Sequence, residues 1–536
     1  MCILCVVAVF INLQLIDKFF VTGNAASADL AGHNANGEAI ASLYFFSMLV
    51  AFVGSLLMGL VAKLPLCQIP SLGLSSLLIS ALGIGSGLTY MNLLAVSLVG
   101  GAVTTVIAAV PPVRKFLFKA IPAGVKKAAP AAVGILMVFV MLQMTGLVQV
   151  SQNSIVDADA EEEEIVSVDT SITIYGTGDS ITEKRWNKAE GEPVQSAVEG
   201  FDLFDFNAYN TKDGKKSDSY YPLLQTCMIC AAAAFGFYLL LRKGKHPVTR
   251  SLLLATGLFW VLFLCQKIFY VYKGEFGYEL DALWGRLWMV GSEDAQHTHL
   301  AMIMTNFAPF RVLSEGFDFS AYTEAGGNGV TFMIYGMLTY LGAQMAFLQA
   351  AGIEEENEGK ATLANGIINI AAPLVGMSPV SVTPVSEAGK RDGAKSGLAS
   401  VVAAIGFLVS AFVWIVPFFF ATTTHYDIEF NMYGHYGEVL QYLTETSFIV
   451  ADAVIALVGL LLIAKTVREG FEGDEIAVGL AMVAATFFTG NLAFALAAGI
   501  VAHVLSSIFD RERKLSIGNV VMLIPAIAVM VMNILQ

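Results

Sequence analysis

The sequence predicts an all-α polytopic membrane protein of about fourteen transmembrane segments. Three observations lead there. Hydrophobic residues make up 56% of the 536-residue chain and charged ones only 14%, with a mean hydropathy of +0.68; water-soluble domains carry roughly a quarter charged residues. The missing charge is absent in blocks, such as 40–61, 129–150, 252–272, 398–420 and 517–535. Several of these reach the ~20 residues needed to cross a bilayer core of ~30 Å.

Taken in order, the apolar runs predict helices near 2–20, 41–62, 72–87, 90–110, 129–149, 222–241, 250–273, 329–350, 361–376, 385–392, 397–420, 446–465, 474–509 and 516–535. The first run has no basic residues at its start, so it reads as a first span and not as a signal peptide. The stretch 474–509 is too long for one span and reads as an interfacial helix plus a span. Basic clusters set the orientation, because Lys and Arg mark the cytoplasmic side. Lys63, the group Arg114, Lys115, Lys119, Lys126 and Lys127, and the group Arg242, Lys243, Lys245 and Arg250 follow the second, fourth and sixth spans. Both termini are therefore expected in the cytoplasm of a multi-pass cell-membrane protein.

The net charge of -14 is concentrated in the stretch 151–221, which holds Glu161 to Glu164. This orientation places that acidic insert outside the cell. Alternation through 165–175 fits a small β-rich cap, and a solvated acidic loop fits equally. Cys227 and Cys230 show a redox-like spacing but stand in an apolar run, as small hydrophobic filler does. His297 and His299 have no third ligand nearby in sequence and read as loop residues. No phosphate loop, nucleophile elbow or metal-protease motif occurs, so neither an enzyme, a cofactor nor a nucleic-acid partner is expected.

Two segments break the helical pattern. One is 68–76, Gln-Ile-Pro-Ser-Leu-Gly-Leu-Ser-Ser; the other is 376–389, with Pro379, Pro384 and a run of Ser, Thr and Val. Unpaired backbone is costly in hydrocarbon, so broken helices survive only where protein or a cavity surrounds them. The first is the third segment of one half and the second the third segment of another half starting near 329. Matched interruptions in two halves point to a transporter's binding site at the midplane.

At these residues the chain resembles the nucleobase–cation symporter-2 (xanthine/uracil permease) family, in particular its AzgA-like hypoxanthine/guanine permease branch. The resemblance is carried by Gly54–Ala62 leading into Ile69–Ser75, by Ile121-Pro122 through Lys126, Gly134 and Leu142–Leu147, by Gly376 to Glu387 and Gly393–Leu398, and by Gly499–Leu505. It implies a seven-plus-seven inverted repeat with half-helices as segments 3 and 10. It divides the chain into a first core half at 1–110, a gate span at 111–150 and the acidic insert at 151–221. Gate spans and an external loop follow at 222–328, a second core half at 329–420 and the last gate spans at 421–536. It further implies proton- or sodium-coupled uptake of a small purine-like solute by an elevator-type movement, in a homodimer.

Carried over residue by residue, the resemblance assigns substrate contacts to Leu74, Ser75 and Ser76, to Gly336, Thr339 and Tyr340, and to Val385, Ser386 and Glu387. Ion coupling falls to Glu387. The chain departs from the family where it matters most. The two aspartate positions of the eighth span are Gly336 and Thr339, the glutamate position of the tenth is Val385, and the asparagine position of the third is Ser75. Glu387 lies two residues on, about 200° round a helix, and reads equally as a cytoplasmic-end partner of Lys390 and Arg391. Asp452 reads as a membrane-edge acid, and Gln344 as a substrate contact or a helix–helix hydrogen bond. Loss of the carboxylates leaves two alternatives open: an anion transporter of the sulfate/bicarbonate type on the same fold, and a transport-deficient receptor or scaffold.

Overall fold

A computed structural model describes residues 1–16, 38–70, 90–144, 148–149, 202–203, 220–242, 244–272, 327–353, 355–422, 454–471, 473, 475–509 and 516–535. Most of these residues are helical. The elements are α1 (Cys2–Ile16), α2 (Glu38–Leu57) with a π-helical end at Met58–Ala62, β1 (Gln68–Pro70), α3 (Tyr90–Ala109), α4 (Pro111–Ala120) and α5 (Ala123–Met144). A small ribbon pairs β2 (Val148–Gln149) with β3 (Asp202–Leu203). Then come α6 (Tyr220–Leu241), α7 (Pro247–Tyr272), α8 (Gly327–Ala350), α9 (Glu355–Leu374), β4 (Val380–Val382), α10 (Ser386–Arg391) and α11 (Leu398–Thr422). The last four helices are α12 (454–469), α13 (Glu475–Thr489), α14 (Leu492–Phe509) and α15 (Ile517–Leu535).

The bundle has an apolar core, yet it also exposes many large apolar side chains and buries several amides. Phe488 is 81% and Ile517 79% exposed, while Asn12, Gln68, Asn365 and Asn369 are wholly buried. Exposed apolar surface on this scale is compatible with contact with lipid. Among the described residues, the windows Phe45–Ala62 and Asn92–Ala109 are long and apolar enough to cross a membrane. The pair α4–α5, bent by 80°, would make a third span. The described chain is thus a mostly helical protein with apolar helices of the kind that cross membranes.

Several boundaries differ from expectation for identifiable reasons. The helix expected at 129–149 begins at Ala123 and runs through Pro130, with a separate helix, α4, before it. Lys126 and Lys127 argue against an apolar span starting there. Lys127, however, is paired with Glu475 at 2.9 Å and stands 5.8 Å from the Phe471 ring centroid. The stretch 474–509 is two helices, parted at Gly490, which takes the left-handed conformation at φ 61°. The Asn491 side chain then caps α14, accepting from the Ala493 and Phe494 amides at 2.9 and 3.2 Å, as an N-cap asparagine does.

Packing ties elements far apart in sequence. α3 lies against α9, and α2 against α11. Glycine makes the closest approaches: a Cβ on Gly101 would stand 2.5 Å from the Asn369 carbonyl oxygen. A second group joins α5 with α12, α13 and α14, where Gly134 and Gly459 face one another. α8 touches both groups, packing on α3 and β4 on one side and on α5, α14 and α15 on the other.

Candidate functional site

The centre is a two-stranded antiparallel ribbon made by β1 and β4, with Gln68 opposite Val382, Ile69 opposite Ser381 and Pro70 opposite Val380. All six residues are buried. Pro379 and Pro384 flank β4, and proline pushes the residue before it into extended backbone. Val380, Ser381, Val382 and Thr383 are short or β-branched and suit a strand. Two interrupted segments about 310 residues apart in sequence therefore meet as strands inside a helical bundle.

A ribbon this short has two open edges, and a buried edge must find partners. Alternation turns Ser381 and Thr383 toward β1, where the Thr383 amide donates to the Cys67 carbonyl at 3.0 Å. Val380 is turned outward, and Asn369 of α9 serves it as a substitute strand: Oδ1 accepts from the Val380 amide at 2.8 Å while Nδ2 donates to its carbonyl at 2.7 Å. Gln344 of α8 gives the same carbonyl a second donor at 2.6 Å. On the other edge Ser55 plays this part, its hydroxyl accepting from the Gln68 amide at 3.1 Å and donating to the Gln68 carbonyl at 3.2 Å. Pro70 has no amide hydrogen to satisfy.

Side-chain amides extend this support into a chain. Asn365 donates to Gln344 at 2.8 Å, and the Gln68 amide group lies 3.2 Å from that of Asn365. Nearby, Asn12 of α1 donates to Ser378 at 3.0 Å. At the far end of β4, the Ser386 hydroxyl accepts from the Cys67 amide at 2.9 Å, clasping the start of α10 to the approach of β1.

The residues singled out from the sequence divide as follows. Gly336, Thr339 and Tyr340 are buried on α8, with the Tyr340 ring against Gly100 of α3. Val385 and Ser386 are buried at the start of α10. Glu387 lies one residue further and forms ion pairs with Lys390 at 3.5 Å and with Lys465 of α12 at 3.9 Å, its side chain 27% exposed. Lys390 also donates to the Ala351 carbonyl at 2.6 Å. Gln344 is a structural ligand of β4. Leu74, Ser75, Ser76, Asp452, His297, His299 and most of the acidic insert lie outside the described residues.

Two features define what the centre can do chemically. None of the fully buried polar side chains among the described residues is Asp, Glu, Lys, Arg or His. Five buried polar atoms have no hydrogen-bond partner among the described residues: Asn12 Oδ1, Ser97 Oγ, Thr339 Oγ1, Ser381 Oγ and, on α7, Arg250 Nε. The described part of the site therefore offers hydroxyl and amide groups. Asn365 and Asn369 escaped the reading of the sequence. Their signal was present, as two asparagines at helical i, i+4 spacing within an apolar run. No protein-family model matches the chain, and no curated protein matches it.

Proposed function

We propose that this chain is a secondary active transporter of a small, uncharged polar solute, purine-like in its hydrogen-bonding edge. The observation that carries the proposal is the buried crossing of β1 and β4 within an apolar helical bundle. Extended backbone in that setting needs the dedicated service of Ser55, Gln344 and Asn369, and such an arrangement is what a discontinuous midplane binding centre demands. The hydroxyls of Thr339 and Ser381, without a partner among the described residues, favour a solute that brings both donors and acceptors, since a buried polar group without a partner costs about 1–3 kcal/mol. That none of the fully buried polar side chains among the described residues is charged favours a neutral solute over an anion, which would give up its hydration without a counter-charge.

The resemblance to nucleobase–cation symporters supplies the purine class, the inverted seven-plus-seven organisation, the dimer and the coupling to a proton or sodium. In this proposal Glu387, paired with Lys390 and Lys465, is the coupling acid. The position of α8, between the α3–β4 side and the α5–α14 side, suits a surface along which one group moves against the other.

The test is uptake of labelled hypoxanthine, guanine and uracil into proteoliposomes under an imposed pH gradient. Uptake above empty liposomes is expected, falling at least tenfold in Thr339→Val. Folded protein that moves none of these bases would end the purine assignment. Stabilisation by sulfate or chloride, with none by any base, would transfer the site to an anion.

A further inference from the structure

We propose that α4 is a docking site for the anionic phospholipid headgroups of the leaflet it faces, an inference that rests on α5 crossing the bilayer. α4 is bent by 80° from α5, so when α5 stands across the membrane α4 lies near the plane of its surface. Proline at its first position starts a fresh helix after Val110. Its inner side is occupied: Phe118 is buried, and Arg114 donates to the Ala108 carbonyl at 2.8 Å, closing the end of α3 while lying against Gly359.

The outer side is sorted by helical geometry. At 100° per residue, Lys115 and Lys119 lie about 40° apart, and Phe116 and Val113 follow about 60° and 120° beyond Lys119. All four are exposed, Val113 at 44% and Phe116 at 43%. An apolar strip beside a cationic strip is the pattern of a helix seated at the headgroup boundary.

A second observation points to the ligand. Lys115 and Lys119 are like charges at i, i+4, which repel one another. Among the described residues neither forms an ion pair, and the ion pairs formed there join Lys127 to Glu475 and Lys390 and Lys465 to Glu387, leaving most cations unmatched. The two unmatched cations next to an exposed phenylalanine call for an anion held at an apolar surface, and that is a phospholipid phosphate. α4 also joins α3 to α5 and packs on α15, so a lipid bound there steadies a junction between the two groups of helices.

The experiment is native mass spectrometry of the purified full-length protein with added phosphatidylglycerol or phosphatidylcholine of identical acyl chains. The wild type is expected to retain phosphatidylglycerol preferentially. The Lys115→Gln/Lys119→Gln variant should lose about 30-fold in affinity for it, roughly fivefold per lysine, and Lys115→Arg/Lys119→Arg should keep it. If the double variant does not fold, Lys119→Gln alone should show the fivefold loss. Equal retention of the two lipids by the wild type, or undiminished retention by the glutamine variants, overturns the proposal. So does loss of a dimer with lipid retention unchanged, which would make α4 a contact between copies. Release of the wild type from membranes by alkaline carbonate would instead defeat the membrane reading beneath it.

Discussion

Replacing Asn369 by alanine tests whether the central ribbon is held from its edges. Asn369 Oδ1 is the acceptor for the Val380 amide at 2.8 Å, and Nδ2 donates to the carbonyls of Val380 and Asn365 at 2.7 and 2.8 Å. In Asn369→Ala the Val380 carbonyl keeps Gln344 at 2.6 Å, but its amide is left buried and unpaired. An orphaned buried donor costs about 1–3 kcal/mol, and the gap opened beside Gly101, whose Cβ position lies 3.0 Å from the Asn369 Cβ, adds to it. A loss of about 2–3 kcal/mol corresponds to a melting point lower by about 2–3 °C, given an unfolding entropy near 2.1 cal/mol/K per residue. The measurement is thermal unfolding of purified protein in detergent. Asn369→Asp separates edge pairing from simple volume: it keeps the acceptor for Val380 but turns a second oxygen on two carbonyls, so it should be less stable than the alanine variant. An alanine variant within about 0.5 kcal/mol of wild type, or an aspartate variant as stable as wild type, would refute the edge-pairing account.

Three further outcomes are expected. Thr339→Val exchanges a buried hydroxyl without a partner among the described residues for a methyl of the same shape; thermal stability should hold or rise by up to about 1 kcal/mol, and a fall would reveal a partner. Gly134→Ala should destabilise by about 1–3 kcal/mol, because the new Cβ would stand 2.6 Å from the Gly459 carbonyl oxygen; a neutral result in the same melting assay would mean that α5 and α12 separate easily. Asp392→Ala removes the carboxylate that accepts from the Val248 and Thr249 amides at 2.7 and 2.8 Å and caps α7 from the α10–α11 connection. It should cost about 0.5–2 kcal/mol, seen by hydrogen exchange as faster exchange at those two amides with α8 unchanged.

Much of the helical framework was legible because apolar runs report burial in lipid or protein regardless of partner. The spans expected at 90–110, 222–241, 250–273 and 397–420 end within three residues of α3, α6, α7 and α11. The interruptions were equally plain, since Pro70, Pro379 and Pro384 act on their own backbone. α4 went unseen because ten residues with three cations read as a loop until a neighbouring surface gives the helix a side to bury.

The sequence alone determined where most of the described helices run, where prolines interrupt the chain, and that Gly336, Thr339 and Val385 carry no charge. These are properties of single residues and their neighbours along the chain. Only the tertiary structure decided that the two breaks pair as strands, that Asn369 and Gln344 complete one edge and Ser55 the other, and that Glu387 turns to Lys390 and Lys465. Hydrogen bonds and ion pairs form between groups brought within about 3–4 Å, and folding, more than spacing in sequence, chooses which groups those are.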